Sequence, residues 1–160
     1  MAKGGEVNKT RIEWCDYDRG WIEAMIDAEG WLSLIKEKRP HFKAGCTYKP
    51  TLGISNNNLN ILDKAKFLLG APRAYSRNGN GVSMVAINSG RLRIVLPLLK
   101  LIAKEKQRIL LLEALDILSI HRGRGDARND KEIGRLEGIY REMRNLNAGT
   151  GGKRKCNEHA

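Results

Sequence analysis

Long apolar runs are missing from this chain. Its most apolar stretch, Leu92 to Leu118, is interrupted by Pro97, Lys100, Lys104, Glu105, Lys106 and Arg108, which excludes a clean membrane span. The opening MAKGGEVNKT has no apolar core, so no secretory leader is expected. Cysteine is sparse. Cys15, Cys46 and Cys156 are odd in number and far apart, so they fit neither a disulfide framework nor a zinc site. They read as reduced thiols of an intracellular protein, in the cytoplasm or an organelle matrix. His41, His121 and His159 are as dispersed, and none is assigned a metal role. Acids are the scarce charge: 18 Asp and Glu stand against 29 Lys and Arg, a formal net charge of +11. The cations fall in short clusters inside patterned segments, which points to a polyanionic partner, nucleic acid before an anionic membrane surface.

A length of 160 residues suits one domain with a real core. We expect a single domain over 1–147 and a basic, disordered tail over 148–160. Asp16 or Asp18 is positioned to cap a helix that runs to about Asp27, whose Trp21, Ile22, Ala24, Met25, Ile26 and Ala28 leave almost no polar face. One side of such a helix can meet its own core; the other needs a second surface. Gly30 breaks it. Trp31 to Lys38 and Cys46 to Ser55 alternate as strands, and an N-cap among Asn56 to Asn58 opens a helix stopped by Gly70. Arg73 to Arg77 and Val82 to Ile87 flank NGNG, a hairpin signal. Ser89 caps a short helix ended by Pro97, a leucine-rich helix covers Lys104 to Ile120, and a last helix gathers Ile133, Leu136, Ile139 or Tyr140, Met143 and Leu146 on one side. The order is helix, strand, strand, helix, strand, strand, then helices. It predicts an α+β domain with a four-stranded antiparallel sheet, helices on one face and the other face open.

Alternation divides that sheet. Leu32, Leu34, Tyr48, Leu52, Ile54, Val85 and Ile87 suit a core. The outward set is Ser33, Ile35, Glu37 and Arg39; Thr47, Lys49, Thr51 and Gly53; Arg73, Tyr75 and Arg77; Met84 and Ala86. Such a set can neutralise phosphates and read base edges, guanine through Arg, cytosine N4 through Glu and the thymine methyl through apolar groups. An ordinary solvated face has a similar composition.

The stretch IEAMIDAEG, Ile22 to Gly30, places two acids among apolar and small residues, where a carboxylate needs a partner. It resembles the LAGLIDADG motif of the homing endonucleases. Ile26, Asp27, Ala28 and Gly30 match in kind, Ile22, Ala24, Met25 and Glu29 are conservative replacements, and Glu23 stands where the family has a small residue. The resemblance extends over about Tyr17 to Ile120, through ILDKAKFLLG and PLLKLIAKEKQ, and only one such motif is present. It implies an αββαββα fold with a saddle-shaped sheet and a homodimer joined through the motif helix, with Trp21, Ala24, Met25 and Ala28 at the interface. It further implies a site-specific, intron-encoded double-strand DNA endonuclease that uses Mg²⁺ or another divalent cation such as Mn²⁺. Glu29 takes the metal-binding acid position, with the Ala28 carbonyl as a further ligand, and Asp27 a structural one. Asn56 matches a position that orients water. Lys104 matches a lysine that stabilises charge on the phosphate, with Lys106 as a rival because the loop is longer than in relatives, and Asn58 falls at a basic position. Partners would be double-stranded DNA, a second copy and, for a chain that also assists splicing, intron RNA, with no membrane. An RNA maturase or a non-catalytic DNA-binding regulator on the same scaffold is the alternative, and a basic ribosome-associated or structural protein a third reading.

Overall fold

The computed structural model describes residues 12–42, 44–72, 74–76, 83–120 and 128–150, with backbone alone for 74–76 and Thr150. Its elements are α1 (Asp16–Glu29), β1 (Gly30–Lys38), β2 (Cys46–Asn56), α2 (Leu59–Leu69), β3 (Ala74–Ser76), β4 (Ser83–Ile87), α3 (Ser89–Val95), a 3-10 turn over Leu96–Leu98, α4 (Glu105–Ser119) and α5 (Asp130–Thr150). The strands form one sheet in the order β1-β2-β4-β3, and β4 is antiparallel to both neighbours. The chain divides into two compact units, Met1–Trp31 with Leu52–Ala103, and Leu32–Thr51 with Lys104–Ala160. No helix among the described residues is long and apolar enough to cross a membrane.

In the first unit β2 meets β4 with Leu52 opposite Ile87 and Ile54 opposite Val85, and all four side chains are buried. Helix α2 packs against β4 and buries Leu62, Ala65, Leu68 and Leu69. Asn58 caps it, its side chain accepting the Asn60 N–H at 3.0 Å, and Gly70 ends it in the left-handed conformation at φ 62°, where a Cβ would be strained. The Arg91 guanidinium lies over Gly70 and its Nε donates to the Leu69 carbonyl at 2.7 Å. Helix α1 buries Ile22 and Ile26 completely, each of which contributes about 1.5–3 kcal/mol.

In the second unit Leu32, Leu34 and Tyr48 are buried from the strands, and Leu111, Ala114, Leu115, Leu136, Ile139 and Met143 from α4 and α5, which pack together. The seven inward strand residues expected from alternation are thus all buried. An acid on α5 collects the polar ends of this core. Glu137 Oε2 accepts from Tyr48 OH at 2.6 Å and Lys36 Nζ at 2.7 Å, and its Oε1 from Arg141 Nε at 3.2 Å. The Lys36 bond and then the Tyr48 bond hold the Glu137 carboxyl at about 2, well below its ordinary value. Burial and the same carboxylate push the Tyr48 phenol up. Asn147 Nδ2 donates to the Leu32 carbonyl at 3.0 Å, fixing the far turn of α5 to β1.

Three local expectations are corrected. The N-cap of α1 is Cys15, not Asp16 or Asp18: its sulfur accepts the Asp18 N–H, and Asp16 and Asp18 occupy the first helical turn. Asn88, not Ser89, is the N-cap of α3, and its side chain makes no capping bond. Gly53 stays on the outward face, opposite Ala86, but is buried there rather than open, because the Trp31 indole covers it. A Cβ there would stand 2.1 Å from the ring. Arg73, Arg77, the NGNG turn, Val82, His121, Cys156, His159 and positions 151–160 of the expected tail lie outside the described residues, while α5 reaches Thr150.

Candidate functional site

Helix α1 carries its acids on two different courses. Glu23 Oε1 accepts the Lys100 N–H at 2.7 Å, and Asp27 Oδ2 accepts the Ile102 N–H at 2.7 Å. Both carboxylates therefore hold backbone donors of the segment that follows the 3-10 turn. This answers why acids sit among apolar residues: each meets an amide that would otherwise lack a protein partner. Asp27 and Glu23 are both engaged by the backbone of this segment. Glu29 differs. It is exposed, and among the described residues no hydrogen bond or ion pair engages its carboxylate. It is the last residue of α1, where helix carbonyls lack intrahelical partners.

Gly30 makes this helix end possible. Its backbone is extended at φ −82° and ψ 165°, and its N–H caps α1 on the Met25 and Ile26 carbonyls. A Cβ on it would lie 2.7 Å from the Ile26 carbonyl oxygen and 3.2 Å from that of Gly53. Glycine is needed for close approach here, not for a left-handed turn. The face of α1 beside Glu29 is apolar and uncovered in the single chain, with Ala24 and Ala28 exposed and Trp21 and Met25 partly so. Near the other end of that face Lys64 Nζ sits 4.4 Å from the Tyr17 ring and 4.8 Å from the Trp21 ring, and pairs with Asp18 at 3.3 Å.

Asn56 ends β2, and its Oδ1 accepts the Asn58 N–H at 2.8 Å. With the oxygen engaged, the amide presents its NH₂ as a donor. Asn58 is occupied as the α2 cap and supplies no positive charge, so the basic position of the resemblance is not filled there. Lys104 belongs to the second unit, as the half-buried N-cap residue of α4. Lys106 pairs with Glu142 at 3.0 Å.

The outward strand positions keep the expected side. Ile35, Arg39 and Lys49 are exposed, and Ser33, Glu37, Thr47, Thr51, Met84 and Ala86 are partly exposed. Glu37 is occupied, by Lys49 at 2.7 Å and Arg39 at 3.2 Å, and the Lys49 bond lowers its carboxyl below the ordinary range. Tyr75 is the register partner of Met84 on β4. Two residues of this face escaped the sequence reading. Trp31 covers Gly53, and Ser55 pairs with Met84. Both follow from carrying the alternation one step further along β1 and β2.

Among solved structures the chain is similar to I-Vdi141I, an archaeal intron-encoded homing endonuclease complexed with DNA. The TM-score is 0.73 at 19% identity, over 91% of this chain and 90% of that one. The homing endonuclease I-CvuI, in complex with a DNA target, gives 0.67 at 18% identity, over 87% and 85%. The LAGLIDADG homing endonuclease I-SmaMI, bound to cleaved DNA, gives 0.60 at 19% identity, over 86% of this chain and 44% of that one. The chain has the homing-endonuclease fold. No protein-family model matches it, and no curated protein matches it in sequence. Within the LAGLIDADG fold, Ile22 to Gly30 forms the second half of α1 and its turn into β1.

Proposed function

We propose that this chain is a site-specific double-strand DNA endonuclease, intron-encoded, acting as a homodimer on a long pseudopalindromic target. One observation carries the reading: Glu29 is an exposed carboxylate with no partner among the described residues, at the end of a helix whose Ala24–Ala28 face is uncovered. A second copy laid on Trp21, Ala24, Met25 and Ala28 covers that face, since small side chains permit close helix approach, and brings two Glu29 carboxylates to one place.

The donor set fits a divalent cation. Carboxylate and carbonyl oxygens are hard ligands of the kind Mg²⁺ or Mn²⁺ takes with several waters. Each copy offers half a site, Glu29 with the Ala28 carbonyl, both at the exposed end of α1. When bound, the cation supplies Lewis-acid activation of phosphate and water. Asn56 orients the attacking water or a phosphate oxygen through its NH₂, and Lys104 stabilises the charge that develops on the phosphate. The saddle of the sheet lies along the duplex. Arg39 and Lys49 neutralise phosphates, with Arg73 and Arg77 as further cations of the sequence, and Ser33, Ile35, Glu37, Thr47, Thr51, Tyr75, Met84 and Ala86 meet base edges. Two-fold symmetry then dictates the target's symmetry.

The test is cleavage of a duplex selected from a randomised pool, with and without Mg²⁺. Metal-dependent double-strand cuts by the wild type and none by Glu29→Gln are expected. Full cutting by Glu29→Gln overturns the mechanism. Metal-independent protection of intron RNA without DNA cutting selects the maturase instead.

A further inference from the structure

The outward side of the first unit's strands is short of charge. Its described positions are Trp31 on β1, Gly53 and Ser55 on β2, Tyr75 on β3, and Met84 and Ala86 on β4. None is a cation, in a chain with 29 Lys and Arg, so these positions have nothing with which to neutralise a phosphate. What they offer a duplex is mainly apolar surface, with Trp31 at its head.

The Trp31 indole is seated. A Cβ on Gly53 would stand 2.1, 2.3 and 2.7 Å from its Cζ2, Cη2 and Cε2, so the ring rests where any other residue would have a side chain. The register partner of Gly53 is Ala86, which carries only a methyl. Glycine and alanine thus leave a shallow seat for the indole on the open face. Gly53 is buried beneath the ring, while Trp31 itself stays partly exposed. A ring already held on one side loses little freedom when a partner covers the other.

Trp31 follows Glu29 by two residues, at most about 7 Å of backbone. The base pair it meets therefore lies close to the phosphate that Glu29 serves. A β-ribbon enters the major groove, where the apolar group that a base presents is the C5 methyl of thymine. A G·C pair presents guanine N7 and O6 and the cytosine amino group, which an apolar ring strips of water and leaves unpaired.

We propose that Trp31 is a specificity-determining residue, whose indole, seated on Gly53, selects thymine at one base pair of each half-site near the cut by contact with the C5 methyl. This rests on the endonuclease reading and names one feature of its substrate.

The test reads binding first. Duplexes bound by the full chain are selected from a randomised pool without Mg²⁺, and thymine is expected at one two-fold-related pair of positions. Uracil, which lacks the methyl, then replaces thymine there, and 5-methylcytosine is compared with cytosine. Uracil should weaken wild-type binding by about fourfold per half-site, what one buried CH₂ is worth, and 5-methylcytosine should bind more tightly than cytosine. Trp31→Ala and Trp31→Gln should not distinguish the members of either pair, and should keep the wild-type preferences at all other positions; if one of them fails to fold, the other decides. Equal binding of thymine and uracil by the wild type, or methyl discrimination retained in the variants, overturns the proposal. Mg²⁺ is added last. Selected duplexes that are bound with the methyl preference but never cut overturn the endonuclease reading and leave the Trp31 contact standing. Duplexes that are cut without any methyl preference overturn the Trp31 role alone, and a chain that binds no duplex overturns both.

Discussion

The two units treat their carboxylates differently. In the unit built on α4 and α5 four acids are matched with side-chain donors: Glu137 with Lys36, Tyr48 and Arg141, Glu113 with Arg135, Glu105 with Arg108, Glu142 with Lys106. The unit built on α1 pairs Asp18 with Lys64 but turns Glu23 and Asp27 to backbone amides and leaves Glu29 exposed with none. In a chain where cations outnumber acids, an unmatched carboxylate at a helix end is not for want of cations. Matched acids stabilise the fold and add nothing to chemistry. An unmatched one costs little stability and is available to a cation or a substrate.

That contrast is broken most sharply by Glu29→Gln. Cleavage should fall by roughly a thousandfold, about 4 kcal/mol of lost transition-state stabilisation, while the melting temperature moves by no more than about 2 °C because no protein partner is lost. Glu137→Ala is the reverse case. It strands Lys36 and Tyr48, and urea unfolding should register a loss of about 2–3 kcal/mol with the cleavage rate at saturating DNA unchanged. Gly53→Ala forces a methyl into the Trp31 ring and should cost about 1–3 kcal/mol; adding Trp31→Ala should recover part of it, which a fault elsewhere in β2 would not allow. The smallest effect is pH-linked. Because the folded Glu137 carboxyl lies at about 2 and its ordinary value is 4.5, its contribution is present above pH 4.5 and is lost as pH falls toward 2. Wild-type stability should drop by about 1–2 kcal/mol more than that of Glu137→Gln across this window, measured by urea midpoints at each pH.

What could be read beforehand was local or periodic. Alternation placed Leu32, Leu34, Tyr48, Leu52, Ile54, Val85 and Ile87 inside, an Asn run capped α2, Gly70 closed it, and the α5 stripe put Leu136, Ile139 and Met143 in the core. What escaped depends on distant partners. No pattern near Glu23 or Asp27 announces amides of residues 100 and 102, nor does α5 show that Glu137 will gather Lys36 and Tyr48 from two strands. Gly53 is outward as alternation places it, but its burial there is decided by Trp31 on the neighbouring strand. Cys15 went unnoticed as a cap because thiols are weak acceptors that rarely serve there. At the site, the motif singled out Glu29, Asn56 and Lys104 as candidates, and the bond from the Lys100 amide to Glu23 became visible only in three dimensions.

The claim on which the rest depends is that a catalytic centre needs one Glu29 from each of two copies, and mixed dimers test it most directly. Wild-type and Glu29→Gln subunits, co-expressed at graded ratios with distinguishable tags, should cut the selected duplex on both strands in proportion to the square of the wild-type fraction. Activity that falls linearly with that fraction, or persists in pure Glu29→Gln, would contradict the pairing.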